Sequence, residues 1–103
     1  MILRIVKLSF RPDEVAKFEA YFEERRHRIR HYPGCTHLQL WQDRQDPCVF
    51  FTYSHWESDE ALDAYRHSEF FGNVWKTIKP MFAQKAEAWS LNNIPAPVAV
   101  PAG

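Results

Sequence analysis

Three groups of side chains in this 103-residue sequence have types and spacings that bear on chemistry. His27 and His31 lie four apart in the run Arg25-Arg26-His27-Arg28-Ile29-Arg30-His31, which would set two imidazoles on one helical face, the spacing of a metal-ligating pair. Flanked by arginines near a helix C-terminus, where each cation is favourable by ~0.3–1 kcal/mol, they read instead as surface histidines. Cys35 would be a nucleophile only if its thiol were acidified, and a strand cysteine with no helix N-terminus or adjacent cation has no cause for that. His37 remains. An imidazole exchanges protons around neutral pH, so a histidine that faces a ligand can act as its general base. Its ordinary alternative is a strand histidine hydrogen-bonded to a neighbour.

The elements that must position these groups can be followed along the chain. Residues 2 to 10 are apolar and β-branched on both faces and predict a strand, with Arg4 and Lys7 on opposite sides. A strand apolar on two sides needs two covers, and the expectation is helices over one face and a partner's sheet over the other. Pro12-Asp13-Glu14 opens a helix whose buried stripe is Val15, Phe18, Phe22 and Ile29, and Pro33-Gly34 ends it. Ser58 is an N-cap for a second helix carrying Leu62 and Tyr65. Ser68-Glu69 starts a third through Phe70, Phe71, Val74, Trp75 and Ile78. Gln84 to Leu91 reads as the last strand. From Asn92 the composition changes to Ile94-Pro95-Ala96-Pro97-Val98-Ala99-Val100-Pro101, an extended arm or disorder. The division is a folded domain over 1–91 and a Pro/Ala-rich tail over 92–103.

Between the first two helices, Cys35 to Gln42 and Cys48 to Trp56 form a hairpin around Asp43-Arg44-Gln45-Asp46-Pro47. Symmetric pairing sets Gln42 near Pro47 and His37 near Thr52. One face then carries His37, Gln39, Trp41, Phe50, Thr52, Ser54 and Trp56, and the other Leu38, Leu40, Val49, Phe51, Tyr53 and His55. On this register His37 shares a wall with Thr52 and Trp56. Any odd slip in pairing would exchange the partners while leaving each strand's own alternation intact. His55 and His67 read as surface or dimer-edge residues.

Composition weighs against several classes. Thirteen basic and thirteen acidic residues cancel, so no overall field draws the chain to nucleic acid or anionic lipid. Phe50, Phe51 and Tyr53 would be available as stacking rings for RNA, but the segment lacks the Gly, Lys and Arg that such a platform uses. No run of eighteen apolar residues exists, and Met1 leads into Ile2-Leu3-Arg4-Ile5-Val6 without a basic n-region, which predicts a cytoplasmic protein. Cys35 and Cys48 lie near opposite ends of the hairpin and are expected to be free. Three glycines cannot make a phosphate loop. Sixteen aromatic rings require a dense core, an interface or a cavity.

The order strand, helix, strand, strand, paired helices, strand is the ferredoxin-like βαββααβ arrangement of an α+β protein. On three stretches the chain resembles the antibiotic-biosynthesis-monooxygenase (ABM) family. These are Pro33-Gly34 before the second strand, Trp56-Glu57-Ser58 after the third, and Tyr65 with Ser68-Glu69-Phe70-Phe71. The resemblance covers roughly residues 2 to 91. It implies a homodimeric α+β barrel and a quinol-type monooxygenase that uses O2 without a cofactor or metal, acting on an aromatic small molecule. In such chemistry the substrate anion reduces oxygen, and the protein supplies orientation, a proton acceptor and a dry pocket.

Carried over by position, the resemblance implies that Trp56 lines the cavity. Thr52 stands where phenol-oxidising members have Asn, and Leu62 where they have Tyr. Tyr65 and Phe70 replace histidines of quinol-oxidising relatives. Val6, Tyr65 and Trp75 occupy the Asn, Trp and His positions of haem-degrading members, so an axial ligand of that type is missing. The expected site is therefore His37 as base with Thr52, Trp56, Tyr65 and Trp75 as substrate-binding groups. The alternative is a non-catalytic ligand-binding or stress-response protein that keeps the barrel and cavity.

Overall fold

A computed structural model describes residues 1–95, so the expected Pro/Ala-rich arm lies, from residue 96 onward, outside the described residues. The elements are β1 (Ile2–Ser9), α1 (Val15–Arg30), β2 (Cys35–Gln42), β3 (Val49–Trp56), α2 (Asp59–Arg66), α3 (Glu69–Ile78) and β4 (Glu87–Leu91). Short 3-10 turns at Pro12–Glu14 and Lys79–Met81 precede α1 and follow α3. The four strands form one antiparallel sheet in the order β2-β3-β1-β4, which makes the fold ferredoxin-like α+β.

Local chemistry sets the joints. Ser58 and Ser68 cap α2 and α3 by accepting hydrogen bonds from the amides of Ala61 and Phe71 at 3.1 Å each. Gly34, at φ 89°, turns the chain from α1 into β2, and its carbonyl accepts the Glu57 amide at 2.8 Å. The α1 stripe expected from the sequence is the one that is buried: Phe18, Phe22 and Ile29 face the sheet. There Phe18 stacks on Phe10 at 4.1 Å and meets Phe50 at 5.3 Å.

The hairpin register differs from expectation. His37 pairs with His55, not Thr52, a shift of three residues along β3. The cause is the loop. The Asp43 carboxylate accepts the amides of Gln45 at 3.0 Å and Asp46 at 2.8 Å, and the Asp46 carboxylate accepts that of Cys48 at 2.9 Å. These bonds draw Pro47 and Cys48 into the turn, and the ladder restarts where the Asp43 amide meets the Val49 carbonyl at 2.9 Å. Gln42 does approach Pro47, but through its side-chain amide, which donates to the Pro47 carbonyl at 2.9 Å. An odd shift inverts the facial relation of the two strands, so Leu38 and Leu40 share a face with Phe50, Thr52, Ser54 and Trp56. His37, Gln39 and Trp41 are on the opposite face with Phe51, Tyr53 and His55.

Candidate functional site

A cavity of about 350 Å³ lies between the helices and the helix-covered face of the sheet. Its volume falls within the ~300–1,000 Å³ typical of small-molecule pockets. Its floor is made by every second residue of the strands: Val6 and Leu8 of β1, Leu38 of β2, Thr52, Ser54 and Trp56 of β3, and Ala88 of β4. The roof comes from Phe18, Phe22 and Ile29 of α1, Leu62 and Tyr65 of α2, and Phe71, Val74, Trp75 and Ile78 of α3. All three helical sets belong to the apolar stripes that their sequence spacing predicts.

The floor and roof meet where Trp56 stacks on Tyr65, ring centroids 4.7 Å apart. Trp56 is 1% exposed, and its indole N–H donates to the Ser54 hydroxyl at 3.0 Å, so its polar edge is satisfied inside the core. Burial, with smaller contributions from Cys35 and Tyr32, pushes the Tyr65 phenol well above its ordinary range. Tyr65 is therefore a neutral phenol at any physiological pH, able to donate a hydrogen bond but not to accept a proton as a phenolate base. Trp75 stacks on Phe71 at 5.8 Å and completes the aromatic wall.

The charged side chains of the lining, and its imidazole, are half-buried or exposed and mark the cavity's mouth. Arg4 from β1, Arg25 from α1, Arg66 from α2 and His67 beyond it all contribute lining atoms, together with one carboxylate, Glu87. Arg25 is engaged by its own helix, donating to the Tyr21 carbonyl at 3.1 Å and to Glu24 at 3.2 Å. The His67 Nδ1 lies 2.8 Å from the Asp63 carbonyl and 3.4 Å from its carboxylate. A carbonyl only accepts, so Nδ1 is the donor in this contact, and in that tautomer Nε2 is the ring's acceptor.

Of the residues expected at the site, Thr52, Trp56, Tyr65 and Trp75 line this cavity and His37 does not. The corrected register carries His37 to the other face, its ring 4.5 Å from His55 and 5.7 Å from Tyr53. His67 is exposed, as its sequence context predicts, and it is also the imidazole that borders the cavity. The available signal was its place directly after Tyr65-Arg66 at the end of α2. Arg4 was also missed as a lining residue, although it shares its strand parity with Val6 and Leu8. Phe50 is buried on the cavity face while Phe51 and Tyr53 lie on the other, so the three rings cannot form one stacking platform. Both cysteines are free. Among the described residues there is no cluster of three potential metal-ligating side chains, and no helix is long and apolar enough to cross a membrane.

The sequence model of the family described as Antibiotic biosynthesis monooxygenase matches residues 1–76. No curated protein matches the sequence. A crystal structure described as an antibiotic biosynthesis monooxygenase superposes with a TM-score of 0.86 at 22% identity, covering 92% of this chain and all of that one. A conserved protein from Methanosarcina mazei Go1 gives 0.83 at 17% identity over 91% of this chain and 94% of its own. A protein from Pseudomonas aeruginosa gives 0.81 at 21% over the same shares. At such identities the likeness to these structures is one of fold.

Proposed function

The chain belongs to the antibiotic biosynthesis monooxygenase family, and from that premise we propose that it is a cofactor-independent monooxygenase acting with O2 on a quinol-like or phenolic small molecule. The observation that carries the reading is the aromatic cavity whose floor and roof meet at the stacked pair Trp56 and Tyr65. A flat aromatic ligand fits between such walls, and their apolar atoms exclude the water that would stabilise its resting state. Thr52, whose hydroxyl makes no side-chain hydrogen bond among the described residues, and Tyr65 are the polar handles that orient a ring hydroxyl. Trp75 bounds the far side.

In this reading His67 Nε2 takes the phenolic proton at the mouth, with Asp63 holding the ring by Nδ1. The electron-rich anion reduces oxygen. One oxygen atom enters the ring, the other leaves as water, and the substrate passes from hydroquinone to hydroxyquinone, supplying all the electrons. The test is substrate-dependent oxygen uptake over a panel of hydroquinones and naphthols, with incorporation of one labelled atom from 18O2. A panel that gives no uptake removes the monooxygenase reading.

A second reading, a ligand-binding protein without turnover, is favoured by one specific feature. Among the described residues, the only imidazole lining the cavity is the exposed His67, and the only lining carboxylate, Glu87, is exposed as well. Tight binding of aromatic ligands without uptake would establish it.

The functional unit we propose is a homodimer closed through the outer sheet face, with no nucleic-acid or membrane partner. That face presents Trp41 at 42%, Trp89 at 43% and Leu91 at 42% exposure beside Ile5, Phe51 and Tyr53. Apolar area of this kind on one side of a small sheet is what a second copy would bury.

A further inference from the structure

The mouth of the cavity is positive in a chain whose charges cancel overall. Arg4 and Arg66 both contribute lining atoms, and neither makes a salt bridge among the described residues. Arg4 donates one hydrogen bond, to the neutral Ser90 hydroxyl at 2.9 Å. Glu87, the one lining carboxylate, is turned toward Lys7 at 4.0 Å, and Lys7 belongs to the opposite face of β1. Arg25 adds a third guanidinium, already shared with Glu24. Like charges set so close together repel one another. Partial burial and the nearby Arg66 charge both disfavour the ionised form of Arg4 and hold it below its ordinary value.

A bound anion would reverse this balance. A carboxylate accepts two parallel hydrogen bonds from a guanidinium and neutralises the repulsion between the pair. The position also suits an aromatic ligand, because Arg4 lies opposite Ser54 in the sheet, and Ser54 accepts the indole hydrogen bond of Trp56. Arg66 directly follows Tyr65, whose ring stacks on that indole. One ligand can therefore lay its ring in the cavity and keep an acidic substituent at the mouth.

Building on the cavity reading above, we propose that the ligand of this site is an aromatic acid, a ring system bearing a carboxylate that is held at the cavity mouth by Arg4 and Arg66. The arginines select the class of ligand and the aromatic walls select its shape.

The test compares 1-hydroxy-2-naphthoate with its methyl ester, which keeps the ring and hydroxyl but lacks the charge. Binding is measured on the full chain by calorimetry and by tryptophan fluorescence, without reference to oxygen uptake. The acid is expected to bind about ten- to hundredfold more tightly than the ester at low salt, and the difference should narrow as salt is raised. Arg66→Gln, on an exposed helix end, is expected to remove most of the preference of acid over ester, with the melting temperature reporting that the fold is intact. Arg4→Gln should do the same, and its melting temperature reports whether β1 is intact. Equal affinities for acid and ester, or an acid preference that survives in both variants, would overturn the proposal and leave the aromatic cavity standing. Failure of both compounds to bind would overturn the cavity reading and the proposal with it.

Discussion

Trp56 and Tyr65 stack with their planes 28° apart, joining the last residue of β3 to the core-facing side of α2. The contact is both a wall of the cavity and the seam between sheet and helix layer, so the two residues separate stability from ligand chemistry only if changed differently. Trp56→Ala is expected to cost about 3–5 kcal/mol, because a nearly inaccessible ring is lost and a cavity is left. Tyr65→Phe keeps the ring and removes only the hydroxyl. Chemical denaturation should find it close to wild type, while affinity for a phenolic ligand falls by about two- to tenfold, one hydrogen bond's worth.

The two histidines give a direct comparison. His67→Gln is expected to lower oxygen uptake on an accepted hydroquinone by about 10²-fold, the lower end for a lost general base, since its ring is exposed. His37→Gln should leave uptake unchanged, because its ring is on the far side of the sheet. Steady-state rates on both proteins check this. Loss of activity in His37→Gln alone would reverse the assignment.

Gly34→Ala should be strongly destabilising. The position has φ 89°, which costs a residue with a side chain about 1–3 kcal/mol. An added Cβ would also run into Ala61 Cβ at the start of α2. Urea denaturation should show a lower midpoint with an unchanged slope. Stability equal to wild type would mean that the turn relaxes freely.

The outer sheet face predicts a scattering mass of two chains at micromolar concentration. Trp89→Glu puts a charge on the edge strand within that face and is expected to shift the mass toward one chain. A wild-type protein that is monomeric throughout would remove the dimer.

Alkaline pH should weaken the fold through Tyr65. Its phenol is raised in the folded state, so the unfolded chain gives up its proton first. The stabilisation is fully present below the ordinary tyrosine value of about 10 and is lost as pH rises beyond it. Unfolding free energy measured from neutral pH upward should fall more steeply above that point for wild type than for Tyr65→Phe.

Much of this architecture is written in local sequence, because its causes are local. Serine caps at Ser58 and Ser68, the Phe18, Phe22 and Ile29 stripe, and the alternation within each strand depend on neighbours a few residues away, and they occur where the sequence places them. The same periodicities mark Thr52 and Trp56 as companions on one strand face. What local pattern does not contain is how one strand is set against the next. That was decided by two loop aspartates, whose carboxylates capture amides and lengthen the turn, and an odd shift then carried His37 away from Thr52 and Trp56. The charged mouth is likewise a product of tertiary structure: Arg4 and Arg66 are far apart in the chain, and only the packing of α2 over the sheet makes them lining groups of one cavity. Secondary structure follows from short-range sterics and periodicity, whereas a site follows from register and packing, to which distant residues contribute at once.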